Sequence, residues 1–185
     1  MLVANHQSYI DILSILSLFP CRFVTFTEMA HTIGVGLITK LSQTLFVHRS
    51  RPSLVRKDIA HLESELVKGI PFVFFPEGGS FDGSALQPFK SSLFESAIKT
   101  ETPIQPVCLR YIEINGEPVT LKNRDQIFYH GEMNLVRQLI GILNLRSVTV
   151  EAVFSPIIEV SGKSRKEVAQ LSREEIAQNF AAVSI

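Results

Sequence analysis

The sequence predicts an α/β fold: a single layered domain with a mostly parallel central sheet flanked by helices. Two observations predict it. Short apolar runs rich in β-branched and aromatic residues alternate with longer stretches of helical period, the order that crossover helices impose between parallel strands. No repeat, low-complexity tract or shift in composition divides the 185 residues, and 45% of them are apolar, enough to bury one full-sized core. The expectation is one domain over residues 1–185.

The strand candidates are residues 22–27, 44–48, 71–75, 104–111 and 147–154. Between the second and third, Val55, Ile59, Leu62 and Leu66 recur at helical spacing, with Pro52 at the start and Gly69 just past the end, so residues 52–68 read as a helix. Residues 10–19 and 89–99 also read as helices, and 135–143 carries an apolar stripe. Ser164 with Glu167 three positions on has the spacing of a capping box that opens a C-terminal helix. Residues 113–125, with Gly116, Pro118 and several charges, form a surface excursion, either a hairpin or a loop.

Charge and cysteine usage exclude several function classes. Lys plus Arg and Asp plus Glu each number 18, so no net field draws the chain to nucleic acid or to an anionic membrane. Cys21 and Cys108 lie far apart in apolar stretches, without metal-ligand spacing, as buried thiols in a reducing compartment do. His31, His48, His61 and His130 likewise lack ligand spacing, and no metal is expected. No apolar run reaches the roughly 18 to 20 residues of a membrane-spanning helix. Candidate catalytic residues stand only a few positions from Met1, which leaves open an N-terminal membrane-associating segment upstream.

Two constellations carry chemistry. In Asn5-His6-Gln7-Ser8-Tyr9-Ile10-Asp11 a histidine precedes a helical pattern and a carboxylate lies about one turn inside it. Residues five apart do not share a helix face, but a histidine in the entry turn can fold back onto the aspartate. The carboxylate then fixes the tautomer and leaves the second ring nitrogen to accept a proton. The same spacing also fits a solvated turn histidine and a first-turn carboxylate that complements the helix dipole. The second constellation is Phe74-Phe75-Pro76-Glu77-Gly78-Gly79-Ser80-Phe81-Asp82-Gly83, glycine-rich and following an apolar strand. Glycines at a strand end let backbone N–H groups turn outward to an anion or oxyanion, though a plain tight turn has the same composition. Gly79-Ser80-Phe81-Asp82-Gly83 lacks the G-x-S-x-G spacing of a nucleophile elbow, which counts against a serine hydrolase.

Taken in this order, the segments resemble the glycerolipid acyltransferase family, typified by the lysophosphatidic acid acyltransferases. Asn5, His6 and Asp11 match its N-H-x-x-x-x-D block, Phe46-Val47-His48-Arg49 its second block, Phe75-Pro76-Glu77-Gly78 its F-P-E-G block, and residues 103–107 its fourth. Pro88-Phe89-Lys90 falls where the family has P-F-[KR].

The resemblance implies a glycerol-3-phosphate acyltransferase-like fold and a one-step transfer of a fatty acyl group from acyl-CoA or acyl carrier protein to a lysolipid hydroxyl. By the same resemblance His6 is the base and Asp11 its orienting partner. Asn5, Arg49, Phe75, Pro76, Glu77, Gly78, Gly79 and Ser80 are assigned to substrate binding, with Arg49 on the acceptor's head group. Lys90 either meets the donor's phosphates or solvates a helix start. No cofactor is implied beyond the thioester co-substrate. The chain departs from the family pattern after F-P-E-G, where Gly79-Ser80-Phe81 replaces the usual Thr-Arg-Ser and removes a second phosphate-gripping arginine. F-P-E-G-x-x-x-D-G-S with a later P-F-K-S looks like a bacterial branch that includes lyso-ornithine lipid acyltransferases, so both acceptors stay open. Apolar residues in 10–26 and 33–41 can line an acyl slot or serve as plain core. A peripheral membrane contact on the cytoplasmic face of the inner membrane is expected, since both substrates carry lipid tails. Two alternatives stand beside the enzyme: a lapsed lipid-binding domain of the same fold, and a thioester hydrolase.

Overall fold

The computed structural model describes residues 1–27, 43–48 and 51–183, with the Pro52 side chain excepted. In chain order these residues form β1 (Leu2–Ala4), α1 (Ile10–Leu18), β2 (Arg22–Phe26), β3 (Leu45–Val47), α2 (Pro52–Val67) and β4 (Phe72–Phe74). There follow α3 (Phe94–Lys99), β5 (Gln105–Ile114), β6 (Glu117–Pro118), α4 (Leu135–Leu143), β7 (Val148–Phe154) and α5 (Arg165–Asn179). The strands join one mixed sheet in the order β3-β2-β4-β1-β5-β6, with β7 also paired to β5. The pairs from β3 to β5 are parallel, while β6 and β7 run antiparallel to β5.

Phe72, Val73 and Phe74 are all buried, because β4 is covered on both faces as an inner parallel strand must be. Alternation sends Phe72 and Phe74 to one core, with Val3, Val24, Leu62, Leu66, Phe94, Val168 and Ile176. It sends Val73 to the other, with Ala4, Ile15, Phe23, Val107 and Leu109. Thus α2, α3 and α5 cover one face and α1 the other. Each fully buried side chain of this size contributes about 1.5 to 3 kcal/mol. The ends are capped as the sequence implies: Ser164 and Glu167 form the capping box of α5. The excursion after β5 is a hairpin whose two turn residues, Asn115 and Gly116, have φ of 55° and 87°, the left-handed pair that a two-residue hairpin needs.

Two expectations are corrected. Residues 2–4 carry no strand in the sequence reading, yet β1 lies between β4 and β5 inside the sheet. Three apolar residues show no periodicity, and only their partners on both sides define the strand. The helix expected over 89–99 begins at Phe94. Residues 88–93 belong instead to the loop, where the Lys90 N–H donates to Pro76 O at 2.9 Å. Lys90 is therefore a loop residue and solvates no helix start.

Candidate active site

Because β1 and β4 are parallel neighbours with Val3 opposite Phe74, the chain segments that follow them leave the sheet side by side at one edge. That edge, at the carboxyl ends of the strands, is where open α/β sheets place their ligands. Asn5 sets the first segment. Its amide donates to Leu109 O at 2.9 Å and accepts from Leu109 N at 2.7 Å, which extends the β1 to β5 ladder by a side chain.

Asp11, fully buried, then organises the turn. Its Oδ2 accepts from the N–H groups of Gln7 at 2.8 Å and Ser8 at 2.9 Å, and His6 Nδ1 lies 2.7 Å away. Tyr111, from β5, donates its hydroxyl to Oδ1 at 2.5 Å. A carboxylate only accepts, so His6 carries its proton on Nδ1 and leaves the Nε2 lone pair on the opposite side of the ring. The ring stacks on Phe75, centroids 4.1 Å apart and planes 11° from parallel, which fixes its plane at the cleft that both residues line. Burial, together with the charge and hydrogen bond of Asp11, pushes the Tyr111 hydroxyl well above its ordinary value, so it stays a donor.

Glu77 ties the two segments together. Its Oε1 accepts from the His6 N–H at 2.7 Å and its Oε2 from the Gln87 N–H at 2.9 Å. Burial pushes its carboxyl up to about 6, against the pull of those two donors. Phe81 N–H donates to His6 O at 3.1 Å, and Gly78 N–H to Phe75 O at 3.1 Å. Gly78 has φ of +79°, and a Cβ there would stand 2.3 Å from Lys90 Nζ, so the lysine lies directly over the glycine. The N–H groups of Gly79 and Ser80 donate to no acceptor among the described residues.

A third wall comes from a segment that the sequence reading assigns no role. Tyr129 N–H donates to Gln7 O at 2.9 Å, and the Ser8 hydroxyl donates to Ile127 O at 2.5 Å. Tyr9 and Tyr129 meet ring to ring at 5.2 Å, and His130 is held by Asp125 at 3.0 Å. The three segments enclose a cleft of about 280 Å³ lined by His6, Phe75 and Gly78 to Ser80 on one side and by Tyr9, Tyr129 and His130 among the rest.

Of the residues named from sequence, His6, Phe75, Gly78, Gly79 and Ser80 line this cleft. Pro76 and Lys90 line a smaller pocket that shares Phe75 and Gly78 with it. Asp11 stands behind His6, whereas Asn5 and Glu77 are buried on backbone partners. Arg49 and the apolar stretch 33–41 lie outside the described residues. His48 pairs with Asp58 at 2.7 Å and lines an apolar groove with Val47, Val55 and Ile59 that shares Phe26 and Leu93 with the cleft. The sequence reading gives Tyr9, Tyr111 and Tyr129 no role and takes His130 only as no metal ligand, since nothing local to residues 111 or 127–131 announces a contact with residues about a hundred positions earlier. Among the described residues no group of three His, Cys, Asp or Glu is placed to hold a metal.

A buried carboxylate that holds one imidazole nitrogen beside a glycine-rich strand end is an arrangement able to exchange a proton through the other nitrogen. Residues 1–110 match the family described as Acyltransferase, and the chain belongs to that family. It is 29% identical to a lyso-ornithine lipid O-acyltransferase of Brucella abortus, over 92% of this chain and 67% of that protein. Identity is 32% with the lyso-ornithine lipid O-acyltransferase of Rhodobacter capsulatus, over 90% of this chain and 60% of that protein. The 1-acyl-sn-glycerol-3-phosphate acyltransferase of Neisseria gonorrhoeae is 25% identical over 99% of this chain and 68% of its own length. The crystal structure of the 1-acyl-sn-glycerophosphate acyltransferase PlsC from Thermotoga maritima has the same fold, with a TM-score of 0.62 at 20% identity. The likeness covers 97% of this chain and 64% of that one. The chain thus spans only part of the length of these relatives.

Proposed function

We propose that the protein transfers a fatty acyl group from acyl-CoA or acyl carrier protein to the hydroxyl of a lysolipid, 1-acylglycerol-3-phosphate or lyso-ornithine lipid. The observation that carries this reading is the His6 Nδ1 contact with Asp11 at 2.7 Å, in a histidine that lines the cleft and keeps Nε2 to accept a proton. His6 Nε2 takes the acceptor's proton as its oxygen bonds to the thioester carbonyl carbon. The tetrahedral oxyanion collapses with loss of the C–S bond, and the imidazolium returns the proton to the departing thiolate. The N–H groups of Gly79 and Ser80, uncommitted among the described residues, are donors available to the oxyanion. General-base help is worth about 10² to 10⁴ in rate, and positioning supplies the rest. Glu77 shapes the acceptor site from behind by fixing the His6 turn to the loop. Arg49 is assigned to the acceptor's head group, where a guanidinium binds paired oxygens. The protein works as a peripheral enzyme on the cytoplasmic face of the inner membrane. Among the described residues no helix is long and apolar enough to cross a bilayer.

The test is free-thiol release from long-chain acyl-CoA and from acyl carrier protein, with lysophosphatidic acid, lyso-ornithine lipid or no acceptor. Release that requires an acceptor, together with the diacylated product, supports the proposal and names the acceptor. Release equal with and without acceptor supports a hydrolase. No release with either acceptor supports a binding domain.

A further inference from the structure

The cleft alone does not explain α4. Leu135 is buried and Leu139 partly so, packed on Tyr9 and Tyr129 at the cleft, and the Gln138 amide donates to Phe128 O at 2.9 Å. Yet Val136, Ile140 and Leu143 stand 45%, 56% and 83% exposed. At positions i, i+4 and i+7 they form one stripe along the outside of the helix. Apolar side chains aligned this way on a surface mark an interaction site, whereas scattered ones do not. The helix and the turn after it carry only positive charge, Arg137 and Arg146, both exposed, with Glu132 ahead of the helix and Glu151 in β7 as the flanking acids.

We infer that the outer face of α4 is a docking surface for an anionic lipid bilayer, with Val136, Ile140 and Leu143 entering the headgroup boundary and Arg137 and Arg146 meeting lipid phosphates. The inference deepens the proposed function, since a lysolipid acceptor is held in a bilayer by its tail and must reach His6 from there. Its position fits, because the stripe starts one residue past Leu135, which packs on the cleft-lining Tyr9 and Tyr129. The chain as a whole is neutral, so the attraction is local, within the roughly 8 Å reach of a charge in physiological salt.

The experiment is co-sedimentation with vesicles of phosphatidylglycerol and phosphatidylcholine, without thioester or lysolipid. Wild type is compared with the triple variant V136S/I140S/L143S and the double variant R137E/R146E, with circular dichroism to confirm the fold. The expected result is binding by wild type and a partition coefficient about tenfold or more lower in each folded variant. The double variant keeps the test open if the triple one does not fold. Wild type that stays in the supernatant, or a folded variant that partitions like wild type, overturns the inference. A dimer of the wild type in sedimentation velocity that the triple variant abolishes overturns it too, by making a second copy the occupant. Vesicle binding without acyl transfer in the thiol assay sinks the proposed reaction and leaves this surface standing.

Discussion

Tyr111 and Asp11 stand a hundred residues apart in sequence, and the tyrosine hydroxyl donates to the carboxylate at 2.5 Å on the side that His6 leaves open. With Gln7 N, Ser8 N and His6 on Oδ2, this contact leaves the carboxylate no freedom to swing from the imidazole. Tyr111→Phe keeps the packing on Phe128 and removes one donor. A hydrogen bond to a charged group is worth about 1.5 to 3 kcal/mol, so kcat is expected to fall about tenfold or more with KM for the acceptor unchanged. Initial rates over an acceptor series measure both.

Glu77 gives the fold a pH dependence. Its folded value is about 6 and its ordinary value 4.5, because burial disfavours the charged form. The folded protein therefore holds a proton that the unfolded chain has already lost between those values. The stabilisation is full below 4.5 and is lost as pH rises through 6, by about 2 kcal/mol. Denaturant titrations from pH 4 to 7 are expected to show that slope, and Glu77→Gln to flatten it.

At Gly78 an added methyl meets both the +79° backbone angle and Lys90 Nζ at 2.3 Å. Gly78→Ala is expected to lower stability by about 1 to 2 kcal/mol from the backbone angle alone. The Lys90 contact adds little to that loss, because the methyl meets the far end of a flexible side chain that can swing aside. Lys90→Ala in the same chain therefore restores little, and the double variant is expected to melt close to Gly78→Ala in thermal scans.

Asn5 is read from sequence as a substrate contact, whereas the fold uses both ends of its amide on Leu109. Asn5→Leu leaves a buried N–H and a buried C=O without partners, a cost of about 2 to 4 kcal/mol. Thermal denaturation is expected to show it as a drop of roughly 5 to 15 °C.

What the sequence made legible follows from how local each signal is. The helix over residues 52–68 and the Ser164 capping box are set by side chains a few positions apart, and both stand within a residue of the expected places. The approach of His6 to Asp11 is equally local, five positions within one turn. β1 could not be read, because a three-residue strand is specified by β4 and β5 rather than by itself. The start of α3 was misplaced because residues 89–93 have helical composition, while the backbone of Lys90 is claimed by Pro76 across the loop. The cleft's far wall escaped for the same reason: Tyr129 is fixed by Gln7 and Ser8 by Ile127, contacts that exist only once the sheet has formed.

The central claim is that His6 and Asp11 act as one unit in acyl transfer. Acceptor-dependent thiol release by His6→Ala, Asp11→Asn and the double variant tests it most directly. Each single variant is expected to lose about 10² or more in kcat/KM, with the double variant no slower than the slower single one. A His6→Ala protein that folds and transfers at the wild-type rate, or losses that simply multiply in the double variant, would contradict it.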